Sequence, residues 1–188
     1  TSQSGSFLFA DVDNDGDQDC YAALDFPLPG KTSQILLNDG SGVFTPLPGS
    51  GIDGAFLPQI AANGVFFDAN NDGNLDLLLG QGWYEGPKEN PLEKNWKFHP
   101  DWDLHASCPM LVHDVNGDGR NDLIVGVAHG FGLHWWEQLP AVDGKLQWKQ
   151  HLIDDRFSQP HCLHLADLTG DGRPELITGK RVYAHNGG

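Results

Sequence analysis

The chain of 188 residues lacks the features that define several common protein classes. No apolar run reaches the roughly 18 residues that a transmembrane helix needs. Three cysteines, Cys20, Cys108 and Cys162, are too few and odd in number for a disulfide framework, so we expect buried free thiols. Apolar residues at helical spacing are almost absent, whereas 24 glycines and 12 prolines indicate many turns. The sequence therefore predicts an all-β protein.

Basic side chains are also scarce, with 11 Lys and Arg against 26 Asp and Glu, a formal net charge of −15. Without a basic stripe the surface has little affinity for nucleic-acid phosphates or an anionic membrane surface. No P-loop, dinucleotide fingerprint or nucleophile elbow is present. More than half of the acidic residues lie in four short segments, so the acidity reflects local sites rather than a uniformly charged surface.

Those four segments are copies of one nine-residue loop. They are Asp11 to Asp19 (DVDNDGDQD), Asp68 to Asp76 (DANNDGNLD), Asp114 to Asp122 (DVNGDGRND) and Asp167 to Glu175 (DLTGDGRPE). Oxygen-bearing side chains occupy loop positions 1, 3, 5 and 9, and glycine occupies position 6, where a sharp turn needs it. Ca²⁺ prefers six to eight oxygen ligands, and alternate residues of a curled loop can reach one centre. The repeated loop therefore predicts calcium binding.

An EF-hand does not explain this pattern. An EF-hand needs a glutamate at position 12 and flanking helices, but position 12 here is Ala22, Leu79, Val125 or Thr178. The flanks are short apolar runs bounded by glycines, which is typical of buried strands. Each unit is therefore predicted to be strand, calcium loop, strand. The first loop is richest in carboxylates, and the fourth, with Thr169 and Glu175, is expected to be the weakest site.

The loops recur about every 50 residues, with several short strands per unit, a period typical of β-propeller blades. We expect blades of four antiparallel strands within one domain over residues 1–188, with repeats at about 5–55, 60–105, 106–157 and 158–188. About four blades fall short of a seven-bladed ring. The chain is therefore expected to be a fragment whose remaining blades complete the ring, an open arc of four blades, or half of an assembly that a second copy completes.

The four loops and the segment Leu36 to Thr45 resemble the FG-GAP/VCBS repeats, which also form the integrin α-subunit propellers. The resemblance implies calcium in the loop between the first two strands of each blade, with position 7 acting through its backbone carbonyl. It implies up to four Ca²⁺ ions with the following ligands: Asp11, Asp13, Asp15, Asp17, Asp19; Asp68, Asn70, Asp72, Asn74, Asp76; Asp114, Asn116, Asp118, Arg120, Asp122; Asp167, Thr169, Asp171, Arg173, Glu175.

The second half also resembles bacterial secreted VCBS proteins related to the aldos-2-ulose dehydratase propeller. The segments that carry this resemblance are His129 to Leu133, Trp135 to Glu137, Ser158 to His161, Thr178 to Arg181 and Tyr183 to His185. The resemblance implies a sugar-processing lyase or dehydratase. Its candidate acid, base or anion-binding groups are His161, His129, His185 and Lys180, with His105 as a possible neighbour. Each can equally be a solvated or structural side chain.

Two functions therefore follow from the sequence. The first is a calcium-stabilised, non-catalytic module that binds glycan or protein; the second is the sugar-processing enzyme. Open, linear calcium sites suit millimolar extracellular calcium, so we expect an extracellular or periplasmic location. Convergence of the candidate histidines and lysine into one pocket would favour the enzyme.

Overall fold

The computed structural model describes residues 7–23, 32–52, 64–88, 95–102, 104 and 109–180. These ranges form fourteen β-strands and no α-helix, so no helix in them could span a membrane. The strands are β1 Phe7–Ala10, β2 Asp19–Ala22, β3 Gln34–Asn38, β4 Phe44–Pro46, β5 Gly64–Phe67, β6 Asp76–Leu79, β7 Gly82–Glu85, β8 Lys97–His99, β9 Met110–His113, β10 Asp122–Gly126, β11 Phe131–Val142, β12 Lys145–Ser158, β13 Pro160–Ala166 and β14 Glu175–Lys180.

The first three repeats each fold into a four-stranded antiparallel meander in chain order: β1–β4, β5–β8 and β9–β12. This confirms the all-β prediction and the blade of four antiparallel strands. The fourth repeat forms the antiparallel pair β13 and β14 within the described residues. The strand predicted near Arg181 lies outside them.

The chain divides into two compact units, Thr1–Asp103 and Leu104–Gly188. The first unit contains the first two sheets, and β1 contacts β5. Its core contains Tyr21, Ile35, Ile52 and Leu77, with Trp96 packed in the same cluster. Every residue of β6 is buried, which explains why that strand reads as a continuous apolar run rather than an alternating one. The single domain over residues 1–188 stays a prediction.

The second unit contains the other two sheets, and β13 contacts β9, β10 and β11. Strand β10 is buried along its whole length, like β6. Strands β11 and β12 are longer than their apolar segments predicted, with 12 and 14 residues. The extension ends in a turn at Asp143 and Gly144, both with positive φ. Cross-strand pairing carries this hairpin from Phe131 opposite Ser158 to Val142 opposite Lys145, next to the turn.

The cysteines agree only in part with the expectation of buried free thiols. Cys20 is free and buried, and burial raises the pKa of its thiol. Cys162 is free but exposed, because it occupies an outward-facing position of β13. Cys108 lies outside the described residues.

Candidate metal centre

Each acidic loop connects the first two strands of its repeat, as predicted. The chain has positive φ at loop position 6, at Gly16, Gly73, Gly119 and Gly172. Position 4 also has positive φ in all four loops, at Asn14, Asn71, Gly117 and Gly170. Asparagine and glycine tolerate this region better than other residues. Sequence reasoning missed position 4, although its restriction to Asn or Gly was visible.

The aspartate at loop position 1 organises the loop backbone. Asp11 accepts hydrogen bonds from the backbone N–H groups of Asp15 and Gly16, each at 3.1 Å. Position 1 of the other three loops accepts the equivalent pair of bonds, so the carboxylate curls the chain around itself. This curl directs the side chains of positions 3 and 5 toward the same side.

The aspartate at loop position 9 is buried and links the loop to the third strand of its blade. Asp19, Asp76 and Asp122 are 0% exposed. Asp19 accepts a bond from Val12 N at 2.9 Å inside the loop, and another from Asn38 N at 2.9 Å on β3. The other two buried aspartates repeat this pattern, with partners in their own loops and on or beside their own third strands. Position 9 therefore has a structural role that the ligand pattern alone did not reveal.

Burial also affects the ionisation of position 9 in the second loop. Desolvation raises the pKa of Asp76 to about 7, against the opposing effect of hydrogen bonds from Gly86 and Ala69. In the fourth loop, Glu175 takes this position and is only half-buried. It accepts bonds from Leu168 N at 2.6 Å and from the Thr169 hydroxyl at 3.3 Å. The Thr169 oxygen thus contacts another predicted ligand.

The first loop brings three predicted ligands together. Asp11, Asp13 and Asp15 each have an oxygen within 4.8 Å of the others, so the three carboxylates could hold a metal ion. Oδ1 of Asp13 and Oδ1 of Asp17 are buried and have no hydrogen-bond partner among the described residues. The set consists only of oxygen donors and has unsatisfied acceptors, which matches the preference of a hard divalent cation.

Electrostatic repulsion accumulates in this first loop. Desolvation, together with the charges of Asp19, Asp15 and Asp11, raises the pKa of Asp13. Desolvation and the charges of the neighbouring loop aspartates also raise the pKa of Asp17, and the charge of Asp39 adds to this repulsion. In the part of the chain that the structure describes, no lysine or arginine forms an ion pair with this loop.

The second and third loops each have a basic counter-ion, from outside the loop in the second and from within it in the third. Nζ of Lys88 lies 3.3 Å from Oδ2 of Asp72 in the second loop. In the third loop the Arg120 guanidinium pairs with Asp118, and its Nε donates to the Gln138 carbonyl at 2.9 Å. A hydrogen bond from the Arg120 backbone N–H holds the pKa of Asp118 below its usual value. A hydrogen bond from the Asn116 side chain and the charge of the Arg120 guanidinium add to this effect. The sequence predicted only a backbone role for Arg120, and the contact of its side chain was missed.

The candidate catalytic residues converge only in part. The rings of His129 and His161 have centroids 5.9 Å apart, and Nδ1 of His161 lies 3.0 Å from the Gln159 carbonyl. Lys180 pairs in register with Pro160, the residue before His161. His105 and His185 lie outside the described residues. The structure therefore brings two of the four candidates together and places the exposed Lys180 on the neighbouring strand.

A repeated side-chain cluster was missed in the sequence. In repeat two, Trp83 stacks on His99 at 4.3 Å, and Nε2 of His99 lies 2.8 Å from Glu85, with Lys97 at 3.7 Å from the same carboxylate. Repeat three has the same cluster at Trp135, His151, Glu137 and Lys149. The glutamate and histidine are 14 residues apart in both repeats, a spacing that could have revealed it.

The comparisons with known proteins identify the class of protein that these strands and loops define. The chain matches the FG-GAP-like repeat family over residues 11–79 and 114–178. Each range begins at an acidic loop and ends in the strand that follows the next acidic loop. Together the two ranges cover more than half of the chain. The protein therefore belongs to the FG-GAP-like repeat family.

One curated relative is an integrin alpha by its name. The chain is 34% identical over 79 residues to integrin alpha pat-2 of Caenorhabditis briggsae. The aligned region covers 39% of this chain and 6% of that protein, so the chain corresponds to a small part of the relative. No solved structure matches the chain.

Proposed function

We propose that this chain is a calcium-stabilised β-propeller segment that serves as an extracellular interaction module. The observation that carries the proposal is the first loop, where Asp11, Asp13 and Asp15 converge and two buried carboxylate oxygens have no partner among the described residues. A bound Ca²⁺ ion would supply the missing positive charge and coordinate those oxygens. The repeats themselves contain no complete catalytic constellation within the described residues.

The proposed ion would be held by the carboxylates at loop positions 1, 3 and 5, with the carbonyl at position 7. Position 9 contributes from the buried end, since each carboxylate oxygen has a second lone pair beyond its backbone hydrogen bond. The same assignment extends to the other three loops as a proposal, with up to four ions per chain. Calcium would then stabilise the connection between the first and second strands of every blade.

The direct test is thermal unfolding of the whole chain in EDTA and in millimolar Ca²⁺. Calcium that binds only the native state should raise the melting temperature in proportion to the logarithm of its concentration. The Asp13→Asn variant should lose a large part of that increase, whereas Asp143→Asn, in an exposed turn, should keep it. Identical melting curves of the wild-type chain in both buffers would rule out structural calcium.

The interaction role rests on the similarity to an integrin α subunit and on the family. A protein partner is favoured over a carbohydrate because that relative is named as an integrin subunit. Surface-immobilised chain should bind purified extracellular proteins only when calcium is present, as measured by surface plasmon resonance. Binding that is unchanged in EDTA would separate the interaction from the metal sites.

A second candidate function is the sugar-processing lyase or dehydratase, and the His129–His161 pair favours it. Two imidazoles with ring centroids 5.9 Å apart can share acid and base roles across one substrate. The test is elimination of water from sugars that carry a carbonyl group, followed by ultraviolet absorbance of the unsaturated product. Activity that His161→Gln abolishes and His164→Gln retains would support it, and absence of turnover would exclude it.

A further inference from the structure

A large cleft in the second unit is lined by residues of the third and fourth acidic loops and of the strands beside them. Its volume is about 770 Å³, within the range of pockets that bind small molecules. One wall consists of Ile124, Trp135 and Ile153, from β10, β11 and β12. Leu165 and Leu176, from β13 and β14 of the other sheet, form a second wall, and Arg173 of the fourth loop also lines the cleft. We call this space the interstrand cleft.

The equivalent position in repeat two shows what is different about the tryptophan in this cleft. Trp83 donates from Nε1 to Asp101 at 2.9 Å, and Asp101 lies two residues after His99, on which Trp83 stacks. In repeat three the residue two positions after His151 is Ile153 instead of an acid. Nε1 of Trp135 is consequently buried without a hydrogen-bond partner among the described residues. Repeat three has an apolar wall where repeat two has a carboxylate.

The cationic group of the cleft differs from its counterpart in the preceding loop. Arg120 and Arg173 both occupy loop position 7, but only Arg120 forms an ion pair within the described residues. Arg173 is exposed, and only its backbone N–H is bonded there, to Asp171 at 2.9 Å. Asp114 is the acid in the lining, and its oxygens accept the backbone N–H groups of Gly117, Asp118 and Gly119. An anion can therefore approach Arg173 while the carboxylate of Asp114 is engaged with its own loop.

We propose that the interstrand cleft binds an amphiphilic carboxylate, with its apolar body between the two walls and its carboxylate paired with Arg173. The aliphatic and aromatic walls favour a ring or a branched hydrocarbon, since burying such groups removes apolar surface from water. They disfavour an unmodified sugar, because its hydroxyl groups would lose hydrogen bonds with water there. A guanidinium pairs with a carboxylate through two parallel hydrogen bonds, which selects an anion over a cation.

The test uses the full chain and two probes with the same apolar body, 4-phenylbutyrate and 4-phenylbutylamine, in isothermal titration. The carboxylate should bind at one site, and the amine should bind at least about tenfold more weakly, a difference of about 1.4 kcal/mol. In a chain with a net charge of −15, binding that depends only on apolar contact and overall charge favours the amine instead. Stronger binding of the amine would overturn the proposal.

Two variants and a control locate the site. Arg173→Gln should weaken 4-phenylbutyrate binding about tenfold, and Ile153→Asp should abolish it by placing a carboxylate at the position that Asp101 occupies in repeat two. Lys145→Gln removes one positive charge at the β11–β12 turn, outside the cleft, and should bind like the wild type. Melting curves establish that each variant is folded. Unchanged affinity in folded Arg173→Gln or folded Ile153→Asp would show that the probe binds elsewhere.

Discussion

The first and third acidic loops share a sequence pattern and a backbone conformation, yet they manage their charge in opposite ways. In the first loop, desolvation and repulsion raise the pKa values of Asp13 and Asp17, and two carboxylate oxygens are buried without partners among the described residues. In the third, Arg120 pairs with Asp118 and the pKa of that carboxyl is lowered. Within the described residues, the same nine-residue frame therefore has uncompensated carboxylates in one loop and its own counter-ion in the other.

The two loops are alike at position 9. Asp19 and Asp122 are both 0% exposed, and each accepts one hydrogen bond from its own loop and one from the third strand. The difference between the loops therefore lies in the side chains at positions 3, 5 and 7, which form the outer half of the loop, whereas position 9 belongs to the inner half. The inner half is a structural element common to both.

The largest expected effect tests this common part. Asp19→Asn and Asp122→Asn should each lower the free energy of unfolding by about 2–4 kcal/mol in EDTA, because an amide NH₂ would face a buried N–H donor. Urea unfolding measures the loss, and Asp143→Asn in the exposed turn is the matched control. If only one of the two buried variants is destabilised, the inner halves of the loops are not equivalent.

The next effect concerns the counter-ion of the third loop. Arg120→Gln should increase the calcium affinity of that loop about tenfold, since Ca²⁺ would no longer compete with a guanidinium for Asp118. Calcium titration by calorimetry measures the change. Arg156→Gln, which removes a positive charge from the pair with Asp154, is the control and should leave the affinity unaltered. An unaltered affinity in Arg120→Gln would mean that Arg120 is no barrier to the metal.

A smaller effect separates the loops by pH in metal-free protein. Because the folded-state pKa of Asp17 is raised, its ionisation destabilises the native state as pH rises above about 4, the ordinary pKa of the group. Asp17→Asn should therefore raise the melting temperature at pH 7. The lowered pKa of Asp118 stabilises the native state above the same pH, so Asp118→Asn should lower the melting temperature at pH 7.

Both changes should shrink toward pH 3, because Asp17 is then protonated in the folded chain and the stabilising charge of Asp118 is lost as pH falls toward its lowered pKa. Melting curves of the two variants at pH 3, 5 and 7 in EDTA measure them. Shifts of the same sign at pH 7 would contradict the electrostatic difference between the loops.

The smallest effect concerns the second loop, which lies between the two extremes. Lys88 is largely exposed, and its ammonium is 3.3 Å from Asp72, so Lys88→Gln should change the free energy of unfolding by at most about 0.5 kcal/mol. The calcium affinity of the second loop should rise less in Lys88→Gln than that of the third loop rises in Arg120→Gln. Paired titrations of the two variants provide the check, and a larger gain for Lys88→Gln would reverse the proposed order.

Much of the fold was predictable because short apolar segments were separated by strong turn signals. The alternation of such segments with acidic loops located the strands of three blades, including the β3–β4 hairpin around Asn38 and Gly42. The lengths of β11 and β12 were not predictable, because Pro140 and the run Asp154 to Arg156 are poor strand formers, and cross-strand pairing extends the hairpin past them. Pairing of that kind depends on the partner strand rather than on local composition.

The candidate site was predictable as a set of residues but not as a set of contacts. Positions 1, 3, 5 and 9 followed from the spacing, because alternate residues of a tight loop can share a centre. The Arg120 contact with Gln138 required the third strand to lie beside the loop, 18 residues further along the chain. The stacked Trp–His pairs likewise depend on the register of two strands.

The sequence by itself determined the class of strands, the four loops and the oxygen-donor chemistry, since these depend on local spacing and on the backbone freedom of glycine and asparagine. Only the tertiary structure decided which carboxylates are buried, which are neutralised by a basic side chain and which have no partner. Those properties arise from segments that are distant in the chain and close in space. For that reason the first and third loops look alike as sequence and differ as sites.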